Sequence, residues 1–167
     1  MKGIDIIQSK IVGVNQYDQL NELVSNWRFL KKKVVFTNGC FDLVHLGHID
    51  YLVKASDLGD LLIIGLNTDN SVQRLKGPSR PINSQNARAM LLASMFFVSK
   101  VVLFDADTPL KLIEMIKPNV LVKGSDYKPE MIVGHDVVKS NHGEVVTIDF
   151  LPGFSTTGIL EKIRQQE

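Results

Sequence analysis

An apolar run, Lys33-Val34-Val35-Phe36, leads directly into the polar stretch Thr37-Asn38-Gly39-Cys40-Phe41-Asp42-Leu43-Val44-His45-Leu46-Gly47-His48. The run is typical of a buried β-strand, and the residues after His48 follow the spacing of an amphipathic helix. His45 and His48 are three positions apart at this helix entry, so their rings face the same way. A helix start also offers unpaired N–H groups and a positive dipole end, which favour an anion. The stretch predicts a phosphate site, although either histidine alone could be a solvated or core residue.

The composition sets limits on the protein class. The chain has 167 residues, of which 44% are hydrophobic and 22% charged, enough for one domain with a core. A net charge of +1 argues against nucleic acid or a membrane as partner. The start of the chain has no signal-peptide pattern and no segment has the ~20 apolar residues of a membrane helix, so we expect a cytoplasmic protein. Cys40, the single cysteine, is either a small buried residue or a reactive thiol.

Short apolar runs alternate with helical segments along the chain, which predicts βαβ units. The predicted strands are 34–37, 61–67, 101–104, 120–123 and 145–150, and the predicted helices are 17–29, 47–57, 84–97, 109–116, 129–140 and 156–164. Strands that are apolar at nearly every position are buried on both faces. We therefore expect a three-layer α/β fold with a five-stranded parallel sheet. Residues 1–167 would form one domain, with 1–32 as an N-terminal helical extension.

Polar segments follow four of the predicted strands, at 37–48, 67–69, 123–127 and 149–157. Ligands of open parallel sheets bind beyond the carboxyl ends of the strands. The four segments should therefore converge on one rim and form the site.

The basic segment 74–81 has three cations, one glycine and two prolines, a composition that predicts a loop. This loop is either a solvated turn or a flap that brings Lys76 onto a polyphosphate. Arg88 lies on the first turns of the next helix, where it could meet phosphate or face water.

Two later segments have both a structural and a functional interpretation. In 123–127, Gly124 permits a close backbone approach and Asp126 could accept from a sugar hydroxyl, but an Asx-type turn has the same composition. Ser155 and Thr156 open the last helix, where hydroxyls are either caps or, together with the helix N–H groups, phosphate ligands.

The segment 39–48 resembles the GxFDxxHxGH signature of the cytidylyltransferase-like nucleotidyltransferases, and Ser155-Thr156-Thr157 resembles their serine/threonine motif. These enzymes have a Rossmann-like fold and transfer a nucleoside monophosphate from a triphosphate to a phosphorylated acceptor. Arg74-Leu75-Lys76-Gly77 and the segment 122–130 resemble the adenylyltransferases that act on D-glycero-β-D-manno-heptose 1-phosphate. The segment 151–154 lacks the arginine that cytidylyltransferases acting on glycerol 3-phosphate or choline phosphate usually carry, which favours the heptose enzymes. Ser125 stands where those enzymes often have a second glycine.

The resemblance implies a role for each matched residue. His45, His48 and Lys76 would be catalytic, and Asp42 would orient the loop. The nucleotide-binding residues would be Thr37, Asn38, Gly39, Phe41, Gly47, Arg88, Lys123, Gly124, Asp126, Ser155 and Thr156.

The implied substrates are ATP, with Mg²⁺, and a sugar 1-phosphate, and the implied products are ADP-heptose for the lipopolysaccharide core and pyrophosphate. No protein metal site is expected. The expected partners are a separate upstream sugar kinase and a second copy of the chain in a homodimer. Two alternatives stay open: a CTP-dependent cytidylyltransferase acting on a phosphoalcohol such as glycerol 3-phosphate, and a non-catalytic nucleotide-binding module.

Overall fold

The computed structural model describes residues 2–165, and the strands of its sheet are all parallel. The strands are β1 (Ile11–Val12), β2 (Val34–Gly39), β3 (Leu61–Asn67), β4 (Val98–Phe104), β5 (Val120–Gly124) and β6 (Glu144–Ile148). Their order across the sheet is β1-β4-β3-β2-β5-β6. The three-layer α/β prediction is confirmed, but the predicted count of five strands is wrong. The additional strand, β1, pairs with β4 at the sheet edge and is only two residues long, too short to carry a periodic pattern.

Helices cover both faces of the sheet. They are α1 (Gly3–Ser9), α2 (Tyr17–Phe29), α3 (Leu46–Ser56), α4 (Asp69–Lys76), α5 (Gln85–Ala93), α6 (Leu110–Ile116), α7 (His135–Ser140) and α8 (Thr156–Arg164). One buried cluster joins α3 and α5 to the sheet, and a second joins α2, α6 and α7 to its other face. Within residues 2–165, no helix combines the length and the hydrophobicity needed to span a bilayer.

The basic segment 74–81 is not a loop throughout, which corrects the sequence interpretation. Arg74 and Lys76 occupy the last turn of α4. The Thr68 side chain caps the start of this helix by accepting from the Ser71 N–H at 3.3 Å. The helix ends at Gly77, whose φ of +95° is a conformation that favours glycine. Helix α4 therefore runs from its cap at Thr68 into a segment whose glycine and prolines predicted a loop, and stops at the glycine.

The predicted helix at 129–140 is interrupted. A short 3-10 turn spans Pro129–Met131, and α7 begins only at His135. Gly134 has a φ of +90° and sits against Ile113 of α6, where a Cβ would lie 2.6 Å from the Ile113 Cδ1. The break lets the chain pack close to α6, a contact that the local sequence does not reveal.

Candidate active site

A cavity of about 540 Å³ opens beyond the carboxyl ends of β2, β3 and β5. Nine of the predicted site residues line it: Asn38, Gly39, Phe41, His48, Lys76, Lys123, Gly124, Asp126 and Thr156. The other five, Thr37, His45, Gly47, Arg88 and Ser155, lie around it without lining it. The fold therefore brings residues from four separate segments to one rim, as expected for an open parallel sheet.

The two signature histidines stack on each other at the start of α3. Their ring centroids are 3.9 Å apart, with planes inclined by 25°. His45 is the N-cap residue of α3, and its carbonyl accepts from the His48 N–H at 2.9 Å. The His48 ring also packs against Phe41 at 5.3 Å. His48 thus faces the cavity with its ring held from both sides.

Gly47 makes this stacking possible. A Cβ at position 47 would lie 3.1 Å from both the His45 Nδ1 and the Phe154 Cβ. Phe154 belongs to the loop before α8, so the glycine also lets that loop approach the helix start. The glycine of the signature therefore serves close packing between two walls of the site.

Both imidazoles favour their neutral form. Burial lowers the pKa of His48 to about 4, with smaller contributions from the positive charges of His45 and Lys76 and an opposing one from the Leu43 backbone. Burial also lowers the pKa of His45. A neutral imidazole donates one hydrogen bond, so at pH 7 the pair acts as hydrogen-bond donors and not as fixed charges.

Two lysines supply positive charge on opposite sides of the cavity. Lys76 reaches it from the end of α4, and Lys123 from the end of β5. Burial lowers the pKa of Lys123 to about 8, against the opposing effects of Asp126 and Cys40. The Lys123 ammonium lies 5.9 Å from the centre of the Tyr127 ring and 3.4 Å from the Asn38 carbonyl oxygen. A partly desolvated ammonium of this kind attracts phosphate more strongly than an exposed one.

The polar residues in the second half of β2 have different roles. Thr37 is buried behind the cavity, and its hydroxyl lies 2.7 Å from that of Tyr51, which lines it. Burial raises the pKa of Tyr51 to about 12. Asn38 lines the cavity, and its buried Oδ1 has no partner within residues 2–165. Such an unpaired acceptor is available to a ligand donor.

Arg88 is buried beneath the signature loop, with a relative exposure of 1%. Its guanidinium donates to the carbonyls of Asn83 at 3.0 Å and Cys40 at 2.6 Å, and to the Asp69 carboxylate at 2.8 Å. The interpretation that Arg88 faces water is therefore wrong. Phosphate binding by this residue stays a prediction, while its contacts show it bracing the loop.

Asp42 ties the signature loop to the segment before α5. One carboxylate oxygen accepts from the Ile82 N–H at 2.7 Å and from the Asn83 N–H at 3.1 Å. The other lies 3.0 Å from the Arg80 Nε, in an ion pair without an aligned hydrogen bond. Both side chains are largely buried, at 1% and 14% exposure. We call this group of contacts the Asp42 clamp.

The last helix completes the rim. Ser155 caps α8 by accepting from the Gly158 N–H at 3.0 Å, and Thr156 lines the cavity. For Ser155 the capping interpretation is confirmed, whereas phosphate binding by either hydroxyl stays a prediction.

The predicted segment 67–69 reaches the cavity through Asn67, the last residue of β3, whose amide donates to the Ser71 hydroxyl at 2.9 Å. Sequence reasoning missed other cavity residues. Tyr51, one turn after His48 on α3, could have been found from helical spacing. Phe150 reaches the cavity from the predicted segment 149–157, whereas Asp107 reaches it from the loop after β4, and no local pattern marks Asp107.

Comparison with known proteins relates this arrangement to a family. A model described as cytidylyltransferase-like matches residues 36–162, which include both motifs. The bifunctional protein HldE of Campylobacter concisus is 58% identical over 88% of this chain, and that of Campylobacter jejuni serotype O:6 is 56% identical over 87%. The chain spans less than a third of the length of these relatives, 30% and 31%.

Two solved structures have similar folds. A lipopolysaccharide core biosynthesis protein from Thermoplasma volcanium is 28% identical with a TM-score of 0.58, over 72% of this chain and 97% of that one. A pantoate-beta-alanine ligase from Francisella tularensis is 17% identical with a TM-score of 0.59, over 92% of this chain and 77% of that one. The second likeness concerns the fold alone.

Proposed function

The chain belongs to the cytidylyltransferase-like family of nucleotidyltransferases, and we propose that it transfers AMP from ATP to D-glycero-β-D-manno-heptose 1-phosphate. The products are ADP-heptose, a precursor of the lipopolysaccharide core, and pyrophosphate. The likeness to bifunctional HldE proteins and to a lipopolysaccharide core biosynthesis protein supports this acceptor. The acceptor must arrive with phosphate already on its anomeric oxygen, and we propose a separate sugar kinase as its source.

One observation carries the proposal: the His45 and His48 rings stack at a helix start, and His48 lines the same cavity as Lys76 and Lys123. The helix start, the imidazole N–H groups and the two ammonium groups are all donors to phosphate oxygens. Such donors stabilise charge that builds on phosphorus-bound oxygens during transfer.

The transfer itself needs no general base, because the acceptor's phosphate is ionised at neutral pH. An acceptor oxygen attacks the α-phosphorus of ATP in line with the leaving group. The new bond joins that oxygen to the α-phosphorus, while the bond from the α-phosphorus to its bridging oxygen breaks and releases pyrophosphate. His48 donates to a non-bridging oxygen, and Lys76 holds the departing phosphates. The protein then acts by positioning and electrostatics.

The residues present suit an Mg²⁺ ion that enters with ATP. Within residues 2–165, no cluster of three His, Cys, Asp or Glu side chains could hold a cation. Mg²⁺ commonly binds through substrate phosphates and one or two carboxylates, and Asp107 and Asp126 both line the cavity. The ion would neutralise charge on the leaving pyrophosphate.

The test is a pyrophosphate-release assay that pairs ATP or CTP with heptose 1-phosphate of either anomer or with glycerol 3-phosphate. We expect kcat/KM for ATP with the β-anomer to exceed every other pair at least roughly tenfold, the discrimination that pocket contacts commonly provide. Preference for CTP with glycerol 3-phosphate would replace the proposal with a cytidylyltransferase. Tight ATP binding without pyrophosphate release from any pair would leave only a nucleotide-binding module.

A further inference from the structure

A second concave region, far from the catalytic cavity, is lined by cations. We call it the basic edge, and its charged residues are Arg28, Lys31, Lys32, Lys33 and Lys117. They surround an open recess of about 520 Å³, and all five are exposed.

The basic edge lies at the amino-terminal end of the sheet. Lys33 immediately precedes β2, and Lys117 stands three residues before β5. The Asn119 side chain joins the two segments by accepting from the Val34 N–H at 2.8 Å. Because the catalytic cavity is at the carboxyl ends of these same strands, the two surfaces face opposite directions.

Most of this charge is not compensated within residues 2–165. Lys31, Lys33 and Lys117 form no ion pair there, and Lys32 has only an exposed contact to Asp60 at 4.0 Å. Arg28 donates to the carbonyls of Ile116 at 2.7 Å and Met115 at 3.3 Å. Because the contact between Lys32 and Asp60 is exposed, it neutralises little of the positive charge of the basic edge.

Helix capping explains only part of the cluster. Lys31 and Lys117 follow the ends of α2 and α6, where a cation complements the helix dipole. That effect does not account for Lys32 and Lys33, which lie beyond the last turn of α2.

Two large exposed apolar residues immediately precede the run of lysines in the chain. Phe29 is 84% exposed and Leu30 is 55% exposed, and both immediately precede Lys31. An exposed phenylalanine next to an exposed leucine has no role in the core and costs solubility. Adjacent apolar and basic side chains of this kind are typical of surfaces that lie in the headgroup region of a bilayer.

We propose that the basic edge docks on the surface of an anionic phospholipid bilayer, with Phe29 and Leu30 entering the headgroup region. The lysines would contact lipid phosphates, and the catalytic cavity would stay open to the aqueous phase. A small free anion needs no exposed Phe29, and the open recess offers it no buried donor. The net charge of +1 does not reveal this surface, because it sums the positive and negative charges of the whole chain.

The test is co-sedimentation of the full chain with vesicles of phosphatidylcholine alone or with about 30% phosphatidylglycerol, at roughly 0.1 M salt. We expect binding to the anionic vesicles only. The double variant Lys31→Glu/Lys33→Glu should bind at least about 30-fold more weakly, since each cation near such a surface contributes about fivefold. Phe29→Ser should weaken binding roughly tenfold through lost apolar burial.

The matched control is Lys111→Glu/Lys128→Glu, which makes the same change in net charge away from the basic edge. We expect this variant to bind like the wild type, and all variants to keep the wild-type unfolding midpoint. Equal loss in both double variants would overturn the proposal by showing that net charge alone matters. Absence of vesicle binding would also overturn the proposal, as would binding only to an acidic protein. Loss of wild-type vesicle binding in millimolar inorganic phosphate at constant ionic strength would overturn it as well. Vesicle binding is independent of turnover, so failure here leaves the proposed enzymatic function untouched.

Discussion

Removal of the Asp42 carboxylate tests whether the Asp42 clamp holds the signature loop in place. Asp42→Ala deletes the acceptor of the Ile82 and Asn83 N–H groups and leaves the Arg80 guanidinium without its counter-charge. Breaking a buried ion pair from one side costs about 3–5 kcal/mol. Because Arg80 keeps 14% exposure, we place the loss at the lower end, about 3 kcal/mol.

The assay is urea and thermal unfolding of the wild type, Asp42→Ala and Asp42→Asn. For a chain of this size, about 3 kcal/mol corresponds to a fall in Tm of roughly 6–12 °C. Asp42→Asn keeps an oxygen acceptor for the N–H groups but loses the charge, so we expect an intermediate loss of about 1–2 kcal/mol.

The matched control is Asp50→Ala. Asp50 pairs with Lys54 at 2.7 Å, closer than the 3.0 Å between Arg80 and Asp42, but on the exposed face of α3. An exposed pair of this spacing contributes about 0.5 kcal/mol or less. If Asp42→Ala destabilised the protein no more than Asp50→Ala does, burial of the clamp would not be the source of its stability and the reasoning would fail.

Four further substitutions test the site and the packing. His48→Ala and His45→Ala should each lower kcat by ~10²–10³ in the pyrophosphate-release assay, since each removes a preorganised donor to developing charge. The ammonium of Lys123, whose pKa is lowered to about 8 by burial, is charged below that pH and loses its proton above it. Accordingly, kcat/KM for ATP should fall about tenfold from pH 7 to pH 9, and Lys123→Arg should abolish that fall. Gly59→Ala should cost about 1–3 kcal/mol in urea unfolding, because the new Cβ would lie 2.7 Å from the Lys33 carbonyl oxygen.

Each of these has its own control. The histidine variants should unfold at the wild-type urea concentration, and near-normal turnover in either one would remove that residue from the mechanism. A pH profile that stays unchanged in Lys123→Arg would assign the inflection to another group. Gly3→Ala places its Cβ in open space, so it should be neutral, and equal losses at Gly3 and Gly59 would contradict the steric argument.

The parts of the site that local sequence predicted are those formed by neighbouring residues. The stacking of His45 and His48 follows from three-residue spacing at a helix start, and the strand before them from an uninterrupted apolar run. By contrast, β1 is recognisable only through its pairing with β4, and Arg74 in the last turn of α4 donates to the Asp107 carboxylate, 33 residues away. Those features depend on contacts between residues far apart in the chain.

Arg88 is a residue of the site whose role depends on contacts with distant parts of the chain. Its sequence position is compatible with phosphate or water, but the Cys40 carbonyl and the Asp69 carboxylate lie 48 and 19 residues away along the chain. The run from Arg28 to Lys33 is visible in the sequence, yet Lys117 joins it only in the folded chain. The net charge of the chain did not predict this cluster, because a sum of charges carries no information on where the charged residues lie.

The amino-acid sequence alone determined the parallel α/β architecture, the signature loop and the helix that follows it, because periodicity and spacing are local properties. The tertiary structure alone decided that burial lowers the pKa of His48 to about 4, that Asp42 holds Arg80, and that five cations share one edge. Burial, charge pairing and surface potential arise from atoms brought together across the chain. The strength of each of these three effects is therefore set only when the chain has folded.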